Sequence, residues 1–129
     1  MENPDLDVLN LVYEALATGD FVTVMSYLSA DVVAHVPGSS PVAGDYLGKE
    51  AVAGYVTTLA ELSGGTLRFE PHAVIVTGRH GAGLVRDRAE REGKALDMNN
   101  VHVWHIVEGT LTEVWIYPGD QYAWDDFWS

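Results

Sequence analysis

Apolar residues recur every three or four positions through the first half of the chain and every second position through most of the rest, so helices are expected to precede strands. Leu6, Leu9, Tyr13 and Leu16 share one helical face. Asn3 is a suitable cap, Pro4 suits the first helical position, Asp5 and Asp7 complement the positive end of the helix, and Gly19 is a suitable stop. Asp20 can cap a second, short helix carrying Val24, Tyr27 and Leu28, ended by Ser29-Ala30-Asp31. Val32 to Val36 reads as a short strand closed by Pro37-Gly38, and 37–48 as a Gly, Ser and Pro loop. Val52, Tyr55, Val56, Leu59 and Leu62 predict a third helix stopped at Gly64-Gly65.

From Thr66 the period becomes two. Strands are expected at about 66–77, 82–91, 95–107 and 110–117, with turns at Gly81, Glu92-Gly93 and Glu108-Gly109. Short connections between long strands predict an antiparallel meander. A last short helix is expected over Gln121 to Trp128. The fold class is therefore α+β, with three N-terminal helices on one face of a curved antiparallel sheet and a cleft between the layers.

The chain has 129 residues, a length that fits one domain over 1–129. It has no cysteine, which removes disulfides, thiolate metal sites and thiol nucleophiles. A net charge of −12 disfavours nucleic acid and anionic membrane surfaces as partners. No apolar run reaches the ~20 residues of a membrane span, and the acidic start lacks a basic-then-apolar leader, so a cytoplasmic protein is expected. Six of the seven basic residues lie between Arg68 and Lys94, and all four Trp follow residue 100.

The run Gly19-Asp20 to Asp31-Val32-Val33-Ala34-His35-Val36-Pro37-Gly38, then Ala43-Gly44 and Gly48-Lys49-Glu50-Ala51-Val52, resembles the first half of a SnoaL-like domain. Glu108-Gly109-Thr110-Leu111-Thr112-Glu113-Val114-Trp115 and then Asp120 resemble its last hairpin. SnoaL-like domains belong to the nuclear transport factor 2 and ketosteroid isomerase superfamily. The resemblance implies a cone-shaped sheet wrapped around helices, a deep apolar pocket for a small cyclic or polyketide-like molecule, and a homodimer formed through the outer sheet face. Cyclases, isomerases, epoxide hydrolases and non-catalytic binders share this fold, so function rests on individual side chains.

The resemblance makes Asp120 the candidate acid/base; the alternative is a cap for the last helix. His35 and His102 are candidate proton carriers or oxygen-polarising groups. On strand 95–107, Met98, Asn100, His102, Trp104 and Ile106 share one face, and the resemblance turns that face inward. Trp104, Trp115, Tyr55 and Tyr117 are expected to shape the cavity, with Asn100 as a polar contact. Limonene-type epoxide hydrolases of this fold hold water with an Arg between two Asp. Arg86 or Arg88, Asp87 and Asp120 supply those residue types, which makes Arg86 a candidate ligand contact. Neighbours on a strand point to opposite faces, however, and favour a solvated or interfacial face that neutralises the acidic surface. A steroid isomerase base is missing, because Val36 stands before Pro37. Trp124, Phe127 and Trp128 form an aromatic face on the last helix that needs cover. His102 and His105, three apart on a strand, face opposite ways, so no metal is expected. The reading is a cofactor-independent acid/base protein, with a non-catalytic ligand-binding or dimeric scaffold as its rival.

Overall fold

The computed structural model describes residues 3–129. Helix α1 (Pro4–Thr18) begins where Leu6 N–H donates to Asn3 Oδ1 at 3.2 Å, and it ends at Gly19 with φ 76°. That left-handed value favours glycine because it has no Cβ to clash. Asp20 caps α2 (Phe21–Ser26) by accepting from Thr23 N–H.

Strand β1 runs from Leu28 to Val36, so Ser29-Ala30-Asp31 belongs to the strand and does not close the helix. The cause is tertiary. Leu111 N–H donates to Tyr27 O at 2.8 Å, and Leu28 pairs with Leu111, which draws the chain out of the helix early. The expected loop at 37–48 contains a four-residue edge strand, β2 (Gly44–Leu47). It is held by antiparallel backbone pairing from Val33↔Leu47 to Val36↔Gly44, a signal that side-chain periodicity does not carry.

Helix α3 (Lys49–Leu62) precedes β3 (Arg68–Thr77), β4 (His80–Arg91), β5 (Lys94–Val107), β6 (Thr110–Tyr117) and α4 (Gln121–Trp128). Glu92-Gly93 and Glu108-Gly109 make the expected turns, with positive φ at all four residues. Gly81 does not. The β3–β4 turn falls at Gly78, and Gly81 and Gly83 lie inside β4, facing inward. A Cβ at Gly81 would collide with Leu9, and one at Gly83 with the Tyr13 ring, so both glycines let α1 settle close to the sheet.

The strand order is β2-β1-β6-β5-β4-β3. Every pairing is antiparallel except β1 with β6, which is parallel. The sheet curls without closing, with the helices against its inner face. Leu9, Val12, Val85, Ile106 and Leu111 anchor one apolar cluster under α1; Val36, Leu59, Leu96, Trp124 and Trp128 anchor a second under α4. Among the described residues no helix is long and apolar enough to cross a membrane.

Candidate functional site

The alternation of β4 creates the site. Val85, Asp87 and Ala89 are buried on the inner face, while Arg86, Arg88 and Glu90 are exposed on the outer one. A carboxylate thus occupies a position otherwise filled by small and branched apolar groups. Asp87 is only 2% exposed. Asn100 Nδ2 donates to Asp87 Oδ2 at 2.9 Å, and Asn100 Oδ1 accepts from Gly119 N–H at 2.9 Å. The second oxygen, Asp87 Oδ1, is buried without a hydrogen-bond partner among the described residues. Loss of hydration disfavours the charged form and pushes the carboxyl up to about 7, partly opposed by the Asn100 hydrogen bond. At neutral pH, Asp87 is therefore divided between acid and base.

His102 lies on the inner face of β5, opposite Gly83. Trp104 Nε1–H donates to Tyr13 Oη at 2.9 Å, which leaves the Tyr13 hydroxyl proton to be donated to His102 Nδ1 at 2.8 Å. This direction follows because an indole N–H only donates. Burial holds His102 well below its ordinary value, at about 4, so the ring is neutral. A neutral imidazole that accepts at Nδ1 carries its proton on Nε2. Burial also pushes the Tyr13 phenol up, which keeps that proton in the chain.

Asp87 and His102 meet a cavity of about 80 Å³ where the two apolar clusters join. Tyr55, Trp104, Val114, Ile116 and Trp124 contribute to its otherwise apolar wall. Leu16, Met25, Val56 and Phe69 line both this cavity and the adjoining surface grooves, and all four are half-buried. They form the mouth.

The inward face of β5 is the expected one: Asn100, His102, Trp104 and Ile106 are all buried. His102, Trp104 and Tyr55 line the cavity, and Asn100 stands behind Asp87. Other expectations need correction. Asp120 is exposed and accepts from Ala123 N–H at 3.0 Å, so it caps α4 and is not a wall residue. His35 sits on the outer sheet face between Asp45 (2.8 Å) and Glu113 (2.5 Å), because Val32, Ala34 and Val36 take the inner positions of β1. Trp115 stacks on His35 there, at 5.3 Å between ring centroids. Tyr117 is also outward and 52% exposed. Arg86 is outward too, held by two 2.7 Å hydrogen bonds to Asp97.

Asp87 is the residue that the sequence reading left on a solvated face. The signal was the apolar character of Val85 and Ala89, two positions to either side of it. The aromatic tail behaves as expected: Trp124, Phe127 and Trp128 are buried. Arg91 Nη1 fastens the helix end by donating to Phe127 O and Ser129 O.

A model described as the SnoaL-like domain matches residues 10–114. An uncharacterised protein of Mycobacterium tuberculosis is 27% identical over 129 residues, covering 99% of this chain and 98% of its own. The solved structure of Bal32a, from a soil-derived mobile gene cassette, superposes with a TM-score of 0.92 at 29% identity, over 98% of this chain and 97% of that one. TerC, crystallised with polyporic acid, superposes with a TM-score of 0.84 at 19% identity, over 97% and 98% of the two chains.

Proposed function

The chain belongs to the SnoaL-like domain family, and on that premise we propose that it transforms a small cyclic carbonyl compound by cofactor-independent proton transfer, with Asp87 as the acid/base. One observation carries this reading: a buried carboxyl oxygen with no hydrogen-bond partner among the described residues, on the wall of an apolar cavity. A carboxylate left unpaired in such a place costs stability, and acid/base work is what makes that arrangement useful.

The roles follow from the protonation states. Ionised Asp87 takes a proton from a carbon next to the carbonyl. His102 donates its Nε2 hydrogen to the carbonyl oxygen as negative charge develops there. Protonated Asp87 then returns the proton to the same carbon from the other face or, where a double bond is conjugated to the enolate, to the far end of that conjugated system. Alternatively, the enolate attacks a second carbonyl and Asp87 protonates the new alkoxide. The first outcome is an isomerisation and the second a ring closure. Asp87 pairs with Met98 across the β4–β5 ladder, and His102 lies four residues farther along β5. At ~3.3 Å per residue the Cα positions are separated by roughly 13 Å along the strands, so the two side chains can reach different atoms of one ligand. Tyr55 and Trp104 supply flat apolar surface for that ring.

The cavity, at about 80 Å³, is smaller than the ~150 Å³ that accepts a benzene ring. A cyclic ligand therefore displaces mouth side chains, with the unbranched Met25 the most adaptable. TerC, which shares the fold, was crystallised with polyporic acid, and this is in keeping with a small-molecule pocket here. On the outer face, the exposed Leu47, Ile75, Tyr117 and Val107 support a homodimer formed through the sheet.

The test is hydrogen–deuterium exchange of cyclic ketones in deuterated buffer, followed by NMR. Wild-type protein should accelerate exchange next to the carbonyl, and Asp87→Asn should not. A binder would hold the same ketones without accelerating exchange, and that result would overturn the catalytic reading. The near-absence of polar groups from the wall is what favours this rival.

A further inference from the structure

The outer face of the sheet carries a second assembly of titratable side chains, separate from the cavity. Asp45 Oδ1 meets His35 Nδ1 at 2.8 Å, and His35 Nε2 meets Glu113 Oε2 at 2.5 Å. The other Glu113 oxygen lies 3.4 Å from His105 Nδ1. His105 Nε2 then faces His80 Nε2 at 3.0 Å. Register explains the row: Asp45 is paired with His35, Glu113 with His105, and His105 with His80. Parallel pairing sets His35 beside Trp115, whose ring also meets the edge of His105.

We propose that His80 and His105 chelate one late first-row divalent cation, Zn²⁺, Ni²⁺ or Cu²⁺, through their two Nε2 atoms. Three observations converge. First, the nitrogens are spaced for one ion. Two metal–nitrogen bonds of ~2.0–2.1 Å, opened by roughly 90–109°, place the ligand atoms roughly 2.8–3.4 Å apart. The observed separation is 3.0 Å, where one ring donates its N–H to the other, and a bound ion would take the place of that shared proton. Second, a carboxylate stands beside the pair: Glu113 Oε1 lies 3.4 Å from His105 Nδ1, close enough for its negative charge to favour a bound cation. Third, both side chains are open to solvent, with His105 37% exposed, so an ion can enter. The imidazole pair selects these ions over Ca²⁺ and Mg²⁺, which prefer oxygen.

Among the described residues no cluster of three metal-ligating groups forms, so water completes the coordination. The pair comes from neighbouring strands, and the bound ion therefore pins β4 to β5. Sequence spacing hides the site, because its two histidines are 25 residues apart and meet only through the register of the sheet.

The experiment is calorimetric titration of the full chain with ZnCl₂ or NiCl₂ in a non-chelating buffer. Wild-type protein should bind one ion per chain. His80→Ala and His105→Ala should each weaken binding at least about tenfold, since one imidazole cannot chelate. Glu113→Gln should weaken it less than either alanine variant, through loss of the negative charge beside the pair. His72→Ala, on β3, should bind like wild type. Electron paramagnetic resonance with Cu²⁺ should show two coordinating nitrogens in the wild type and one in His80→Ala. Absence of saturable binding, unaltered affinity in both alanine variants, or a copper spectrum without two nitrogens would overturn the proposal. The spectrum of the wild type decides the matter even where a variant folds poorly.

Discussion

The two faces of the sheet use the same two chemical groups and give them opposite protonation behaviour. Asp87 on the inner face and Asp97 on the outer face lie on neighbouring strands. Burial pushes Asp87 up to about 7, whereas the Arg86 guanidinium holds Asp97 below the usual carboxylate range. The imidazoles separate in the reverse sense. Burial draws His102 down to about 4, whereas the Glu113 and Asp45 carboxylates raise His35. Proximity in the fold therefore says little about chemistry. What decides is whether a group has lost its water without gaining a counter-charge. The inner pair has lost it, and each group is held away from its charged form. The outer groups have partners and solvent, and each is held toward its charged form.

The sharpest way to break this contrast is to exchange one oxygen for nitrogen on each face. Asp87→Asn removes the proton carrier, and ketone exchange should fall about 10²–10⁴-fold. Asp97→Asn, which changes the same chemical group on the outer face, should leave the exchange rate within twofold, about the error of the assay. Equal losses in the two variants, measured by the same NMR exchange, would mean that the inner position has no special standing.

The inner groups also leave a signature in stability. The Asp87 value is raised, so the folded state holds a proton that the unfolded chain gives up near pH 3.8. Its contribution is present below that value and is lost as pH rises to about 7, by on the order of 4 kcal/mol. The His102 value is lowered from 6.5 to about 4, so its contribution is present above 6.5 and is lost as pH falls toward 4, by about 3 kcal/mol. The two slopes oppose each other across the same range. Urea unfolding of the wild type should therefore vary little between pH 4.5 and 6.5 on their account. Asp87→Asn should expose a stability that rises with pH, and His102→Gln one that falls.

Much of this arrangement was legible in the sequence, and the remainder was not for identifiable reasons. The first helix was fixed by Asn3, Pro4 and Gly19, and the hairpins by Glu92-Gly93 and Glu108-Gly109, because local backbone chemistry decides those features. The inward face of β5 was not legible from its period, because both faces mix polar and apolar groups; only the family resemblance favoured the Trp104 side. The early start of β1, the edge strand β2 and the true turn at Gly78 escaped because pairing with distant strands decides them. Asp120 and His35 were drawn toward the site by motif, yet α4 capping claims one and strand parity the other. Asp87 was visible in principle, since Val85 and Ala89 mark its face as apolar, but the flanking Arg86 and Arg88 obscured that alternation. Tyr13 was placed on the buried face of α1, but its link to His102 and Trp104 depends on Gly83 lying directly beneath its ring.

Tyr13 gives the next test. Tyr13→Phe keeps the ring over Gly83 and removes only the hydroxyl. It leaves Trp104 Nε1–H and His102 Nδ1 without their shared partner in a dry site. Each orphaned buried group costs about 1–3 kcal/mol, so the variant should lose about 2–6 kcal/mol in urea unfolding. It should also free the His102 proton to move between nitrogens, visible as a change in the ¹⁵N shifts of the ring. A loss of stability with unchanged shifts would separate packing from control of the tautomer.

The smallest effect belongs to the outer face. His35 sits between Glu113 and Asp45, but its side chain is 30% exposed and that of Asp45 66%. Solvent and salt screen such pairs, so their contribution is modest. Its sign is nevertheless fixed. Because the folded value is raised, the stabilisation is complete below the unfolded imidazole value of 6.5 and is lost as pH rises through the higher folded value. Wild type should therefore melt above His35→Gln at pH 6, with the gap shrinking by pH 9 and again in high salt. Asp87→Asn should be insensitive to added salt by the same measure, because the cavity admits no ionic atmosphere around that carboxyl. A gap for His35→Gln that persists at both high pH and high salt would show that this imidazole acts by packing on Trp115 rather than by charge. The electrostatic contrast between the two faces would then rest on the inner groups alone.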